Sequence, residues 1–292
     1  MNTTSNQKVT ILNKNQRIGI VIGVSAILLV SIILLPSLFS PGNQVESLDY
    51  VKITVLVDNH PNNTLLSPWG LSILVETTDS TILFDSGPDP ITLENNTASQ
   101  GIDLGLACDC VVVSHTHPDH VSGFTYVSDL YDNLTMYTPY YGYPRSWTSG
   151  FNDIEIEETA EISTGVSIVG MGFEDILVFS EQALVIDVEN LGLVVLVACS
   201  HPGVENIVST VLDVMNADEV YMVIGGFHLL YADQQDVIDT VDALLDMGVQ
   251  NIYPIHCSGE EINDYLETNH PDNYGTACVG FQIVLDGTAD IP

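Results

Sequence analysis

The chain has 292 residues, 46% of them hydrophobic and 15% charged. That length allows one large domain or two small ones with a self-sufficient core, and the composition excludes a disordered, collagen-like or disulfide-dense chain. Thirty-nine acids stand against five bases, a formal charge of −34, which repels phosphate backbones and anionic lipid and argues against a nucleic-acid partner. Lys8, Lys14 and Arg17 precede the first acid, Glu46, so beyond it only Lys52 and Arg145 oppose the acids. Such a surface suits high salt, where self-repulsion is screened.

Residues 1–17 hold three bases, and Ile18 to Leu35 runs without a charge. Extended to about residue 40, the run is long enough to cross the ~30 Å hydrocarbon core. The positive-inside rule then keeps residues 1–17 in the cytoplasm, makes 18–40 a transmembrane anchor and places the rest outside. A cleaved signal peptide is the runner-up; its apolar core would be unusually long. Residues 41–49, with Pro41, Gly42 and Asn43, read as a linker to a domain over 50–292. Asn-x-Ser/Thr triplets at Asn62, Asn95 and Asn133 are compatible with glycosylation outside the cell. Five cysteines at unrelated spacings predict neither a zinc finger nor an obligatory disulfide framework.

Lys52–Val57 alternates and predicts a strand; Leu71–Glu76, Thr81–Asp85 and Val111–Val113 predict three more. The segment from Phe124 to Phe151 holds Tyr126, Tyr131, Tyr137, Tyr140, Tyr141, Tyr143 and Trp147. It is either a loop packing its own aromatics or one wall of a substrate pocket. Leu184–Val188 and Leu193–Ala198 predict a strand pair. Val204–Met215 has helical periodicity, Val220–Ile224 reads as a strand, and Asp236–Met247 as a second amphipathic helix. A strand over Asn251–Ile255, a helix over Gly259–Glu267 and a strand over Val279–Leu285 complete the pattern. Strands first, then strand–helix alternation, predict two β-sheets with helices outside.

The chemistry concentrates in Ser114-His115-Thr116-His117-Pro118-Asp119-His120. Three imidazoles and a carboxylate fall within six residues, directly after an apolar strand. Imidazole nitrogen and carboxylate oxygen suit Zn²⁺, Mn²⁺ or Fe²⁺. His115 and His117, two apart, face the same way on an extended segment; Asp119 and His120 follow in the turn and are placed for a second ion. His201 and His256 each lie at or just past the end of an apolar strand. His60 and His270 lack such a context and read as ordinary surface histidines.

This run resembles the H-x-H-x-D-H signature of the metallo-β-lactamase superfamily. Leu83–Gly87, Ala198–Gly203 and Pro254–Cys257 are similar to further motifs of that superfamily, in order along the chain. A narrower resemblance, carried by Val57–Asn59, Trp69–Ser72, Gly225–Leu229 and His256–Gly259, is to the branch named for dihydropterin–ribofuranosylaminobenzene-phosphate synthase. The resemblance implies an α+β fold, a four-layer αββα sandwich with halves near 50–183 and 184–292. It also implies two divalent ions, zinc first and manganese or iron as alternatives. The ligands it implies are His115, His117, Asp119, His120, His201 and His256, with Asp85 fixing a ligand histidine from behind.

The implied catalytic residues are Asp119, orienting the attacking water and taking its proton, and His228, stabilising an oxyanion. His228 also stands as a candidate ligand. Where related hydrolases carry a bridging aspartate, this chain has Cys199-Ser200-His201. Either water or a thiolate bridges there, or the second site is weak; Cys199 and Cys257 read first as small buried residues. The expected function is a membrane-anchored metallohydrolase using metal-activated water on a small-molecule ester, lactone, amide or phosphodiester. A transferase of methanopterin synthesis and a non-catalytic ligand-binding surface domain are the alternatives.

Overall fold

Residues 47–62, 64–141, 145–171 and 180–287 are described by the structure, a computed structural model. The proposed membrane span at 18–40 lies outside them; among the described residues no helix is long and apolar enough to cross a membrane.

Val- and Ile-rich runs that bury both faces build two sheets. The first contains β1 (Tyr50–Val57), β2 (Ser72–Thr77), β3 (Thr81–Phe84), β4 (Cys110–Val112), β5 (Leu134–Pro139) and β6 (Phe151–Ile156). The second contains β7 (Thr159–Ser163), β8 (Val166–Gly170), β9 (Gln182–Val188), β10 (Gly192–Val197), β11 (Val220–Gly226) and β12 (Val249–Ile255). A last strand, β13 (Gln282–Asp286), returns to the first sheet and pairs antiparallel with β1. The orders are β13-β1-β2-β3-β4-β5-β6 and β12-β11-β10-β9-β8-β7.

Helices cover the outer faces. On the first sheet lie α1 (Pro90–Ser99), α2 (Leu104–Ala107) and α4 (Phe124–Leu130), while the single turn α3 (Pro118–Val121) carries the histidine run. On the second lie α5 (Val204–Met215), α6 (Gln234–Asp246) and α7 (Glu260–Asn269). Period-two alternation explains the layering. Val194 and Leu196 of β10 join Ile53, Ile73 and Phe84 between the sheets. Their neighbours Val195 and Val197 face Ile207, Val211, Val241 and Ile262 of the helices. On the opposite side Leu83 and Val111 meet Leu93, Leu104, Phe124 and Val127. The result is the expected αββα arrangement.

The structure differs from the sequence reading in several details, among them the strands β5 and β6 and the helix α4 in and beside the aromatic segment. The second sheet begins at Thr159, not Leu184, because β7 and β8 join β9 as an antiparallel meander. α1 was not expected because it buries the polar Thr92, Asn96 and Thr97. Its start is nonetheless written locally: Asp89 accepts from the Thr92 amide (2.8 Å) and Pro90 opens the helix. The aromatic segment packs inward in part: Phe124 stacks on Trp147 at 6.4 Å and meets Phe151 edge-on at 5.9 Å.

Parallel strands β3, β4, β10, β11 and β12 end at the same edge of the sandwich. The chain turns sharply there. Asp85, Ser200, His228 and His256, each just past a strand end, take φ between 54° and 59°. Left-handed backbone on non-glycine residues costs roughly 1–3 kcal/mol each and gathers at functional sites.

Candidate metal centre

Ser114–His120 leaves β4 and turns into α3 beneath that edge. His115 is fully buried, and its Nε2 lies 3.0 Å from His117 Nδ1. His201, from the turn after β10, brings its ring to 4.8 Å from both, centroid to centroid. Ligand atoms of these three histidines lie within 4.8 Å of one another. A second triad forms beside it. Asp119 Oδ2 is 3.6 Å from His120 Nε2 and 3.6 Å from His256 Nε2. Two donors on one ion at about 2.0–2.3 Å stand roughly 3.3–3.7 Å apart in tetrahedral geometry, so the 3.6 Å spacings of the second triad suit a ligand set. His256 Nε2 is moreover buried without a hydrogen-bond partner, an arrangement that is costly unless something else binds it.

Each of four histidines has one ring nitrogen held from behind, which orients the ring toward the centre. Ser114 Oγ sits 2.9 Å from His115 Nδ1. Asp85 Oδ2 sits 2.7 Å from His120 Nδ1 and also accepts from Ser114 Oγ at 2.6 Å, while its Oδ1 accepts from the Ser114 amide at 2.8 Å. Asn59 Oδ1 sits 2.8 Å from His256 Nδ1, and Glu181 Oε2 lies 2.9 Å from His201 Nδ1. Glu181 also accepts from the amides of Cys199, Ser200 and His201. Asp85, expected behind a ligand histidine, lies against His120. Glu181 and Asn59 were missed.

Burial, then the neighbouring imidazoles, hold His115 and His256 well below the ordinary histidine range, keeping them neutral and ready to ligate. Burial also lowers His117. His120 moves the other way: burial opposes its charge, but the Asp85 carboxylate outweighs it. For Glu181, burial works upward and is outweighed by the donors from His201 and Ser200, so its carboxyl lies below the usual range.

The motif Trp69–Ser72 acquires a physical role here. Trp69 lays its ring 4.8 Å from that of His256. The Leu71 amide donates to the Asp119 carbonyl (3.3 Å), and Ser72 Oγ donates to that of Asp85 (2.8 Å). A Cβ on Gly70 would stand 2.7 Å from the Asp119 carbonyl oxygen and 2.6 Å from Pro88 Cδ. Gly70→Ala is therefore expected to destabilise the fold by about 1–3 kcal/mol and to weaken metal binding through Asp119. Thermal unfolding beside a metal titration checks both.

His60 is not an ordinary surface residue. Its side chain is 22% exposed and its Nδ1 lies 2.9 Å from Asp58 Oδ2, while Asp58 Oδ1 accepts from the His256 amide at 2.9 Å. That hydrogen bond to Asp58 raises the His60 pKa despite burial. The stabilisation is thus complete below the unfolded value of about 6.5 and disappears as pH rises through the higher folded value. His60→Gln should lower stability at pH 6 by no more than about 1 kcal/mol and by less at pH 9, as measured by denaturant unfolding. His270 is half-buried against Tyr265.

His228 is exposed, its ring 4.7 Å from that of His201. A hydrogen bond with Cys257 raises its pKa. Cys199 and Cys257 are both buried at the centre, and all five cysteines are free. The hydrogen bond between these two, with burial, pushes Cys199 up; the same bond pulls Cys257 down to about 6. Beside the centre opens a cavity of about 660 Å³ bounded by Trp69, His201, Phe227, His228, Tyr231 and the acids Glu205, Asp236 and Asp239 among others. Among the described residues no lysine or arginine lines it. Lys52 pairs with Glu76 and Arg145 with Asp153 and Glu155, all away from it. The described aromatics of the Phe124–Phe151 segment do not line it either.

A four-layer αββα sandwich with two donor triads at the strand ends is the metallo-β-lactamase fold, and this chain is a metallo-β-lactamase-fold protein. The model of the metallo-β-lactamase superfamily matches residues 70–194. Over 268 aligned residues, 74% of this chain and 90% of the relative, it is 24% identical to the 7,8-dihydropterin-6-methyl-4-(β-D-ribofuranosyl)-aminobenzene-5′-phosphate synthase of Methanocaldococcus jannaschii. It is 26% identical to the crystal structure of Tm1679, described as a metal-dependent hydrolase of the β-lactamase superfamily, with a TM-score of 0.69 over 81% of this chain and 99% of that one. A diphosphatase of the PhnP family shares the fold at 12% identity and a TM-score of 0.53.

Proposed function

We propose that this chain is a metal-dependent hydrolase of a small molecule carrying an ester, lactone, amide or phosphodiester. The observation behind this reading is the pair of donor triads beside a cavity large enough for a small molecule. His115, His117 and His201 would hold one divalent ion, and Asp119, His120 and His256 the other. Ions so held supply water with its pKa lowered toward ~7 and a Lewis acid for the oxygen under attack. The chain's own groups do the rest. Asp119, 22% exposed at the mouth of the second triad, orients the attacking water and takes its proton. His228, charged more readily than an ordinary histidine, faces the same cavity and donates to the developing oxyanion. Trp69 and Phe227 give the substrate an apolar wall.

The acids Glu205, Asp236 and Asp239 in the described cavity lining, with no lysine or arginine beside them, favour neutral or singly charged substrates. Similarity to the named synthase favours a second reading, a transferase. We further propose that residues 18–40 anchor the chain with its catalytic domain outside the cell, which a topology reporter fused after residue 292 tests.

The experiment is metal content per chain by mass spectrometry alongside hydrolysis of aryl esters and bis-aryl phosphodiesters. About two ions and measurable hydrolysis are expected, both lost in His115→Ala. Two ions with neither substrate cleaved would turn attention to the transferase; failure to bind metal would overturn both enzymatic readings.

A further inference from the structure

We infer that the substrate bears a positive charge: an ester, lactone or amide with an apolar or aromatic body and a protonated or quaternary amine. Its amine lies against Glu205, Asp236 and Asp239, its scissile bond at the donor triads. The inference rests on the hydrolase reading above and narrows its substrate class. The acidic surface of this chain would account for carboxylates almost anywhere; these three differ in their company. They line one cavity of about 660 Å³ together with Trp69, Phe227 and Tyr231. Asp236 and Asp239, three apart on α6, share a helix face, and Glu205 stands in the first turn of α5. Trp69 is 46% exposed and Tyr231 95% exposed, so aromatic surface stands uncovered beside the acids. An aromatic face and a carboxylate each attract an organic cation, and the apolar walls accept its body. The same lining repels an anion.

No lysine or arginine beyond Glu46 competes for the place. Only Lys52 and Arg145 follow it in the sequence, and they pair with Glu76 and with Asp153 and Glu155. Among the described residues, the side chains that donate to the cavity acids are neutral amides: Asn206 Nδ2 to Glu205 (3.3 Å) and Gln235 Nε2 to Asp239 (2.7 Å). The lining imidazole His228 belongs to the metal end, its ring 4.7 Å from that of His201. That end carries its own sign of a ligand. His256 Nε2 is buried without a hydrogen-bond partner. Trp69, whose ring is 4.8 Å from that of His256, and the adjoining Cys257 both line the cavity.

The test uses the full-length, metal-loaded chain and three para-nitrophenyl esters. One acyl group is γ-trimethylammoniobutyryl, the second its neutral isostere with carbon in place of nitrogen, and the third glutaryl, which is anionic. The first two share leaving group and shape, so charge alone separates them. kcat/KM is expected to be highest for the cation, by about tenfold over the isostere, and lowest for the anion. In the triple variant Glu205→Gln, Asp236→Asn, Asp239→Asn the cation's advantage is expected to fall to about twofold or less, through KM rather than kcat. If that variant does not fold, Asp236→Asn and Asp239→Asn singly, both at exposed positions, are each expected to lower the advantage by about twofold. Equal rates for the cation and its isostere, or an advantage untouched by the substitutions, overturn the inference and leave the hydrolase standing. Cleavage of none of the three overturns the hydrolase reading, and the substrate class with it.

Discussion

Glu181→Gln is expected to weaken the ion at His115, His117 and His201 by about 10–100-fold and to destabilise the fold measurably. Glu181 is 1% exposed, and its two oxygens meet four donors: the amides of Cys199 (3.0 Å), Ser200 (2.8 Å) and His201 (2.8 Å), and His201 Nδ1 (2.9 Å). An amide replaces one acceptor oxygen with an NH₂ group. Whichever side it takes, a donor then faces two donors, at about 1–3 kcal/mol for each one left unpaired. If the amide nitrogen faces His201, the ring loses the acceptor that aims its other nitrogen at the centre. Denaturant unfolding and zinc titration read the two effects separately. Unchanged stability together with unchanged affinity would show that the carboxylate neither supports the turn nor orients the histidine.

Asp119→Ala should separate chemistry from folding. Its carboxylate is 22% exposed and reaches His120 and His256 at 3.6 Å, and among the described residues no buried amide donates to it. Removing it is expected to reduce the metal count from about two to about one per chain. Hydrolysis should fall by roughly 10²–10⁴-fold, the usual contribution of a positioned base. Metal-free stability should change by less than about 1 kcal/mol. A variant that keeps both ions and the full rate would remove Asp119 from the centre and from the proton transfer. A variant that keeps both ions but loses the rate would assign it to proton transfer alone.

What the sequence made legible follows from distance along the chain. His115, His117, Asp119 and His120 are neighbours, so their convergence is visible as a spacing. His201 and His256 are visible because each follows an apolar strand, and parallel strands deliver such residues to one edge. The groups behind the ligands are not legible that way. Asn59 meets His256 across 197 positions, and Glu181 meets His201 across 20. Glu181 left one faint signal, a lone acid directly before the apolar run of β9. Asp85 was named only because Leu83–Gly87 resembles a motif of the superfamily; its partner His120 lies 35 positions away. The same logic covers the fold. Strands with unbroken apolar runs were readable, while α1 hid behind its buried Asn96, which donates to the carbonyls of Leu56 and Leu66. The start of the second sheet hid because the polar edge strand β7 has few apolar residues to announce it.

The four left-handed residues at the strand ends set thermostability against activity. Glycine or asparagine fits such backbone with less cost than histidine. A sequence selected for heat resistance alone would place one of them at positions 228 and 256. The side chains that occupy those positions instead reach the centre and its cavity. The edge of the sandwich that gathers the donors therefore also carries backbone strain, and relieving it at positions 228 or 256 removes a side chain that reaches the centre or its cavity.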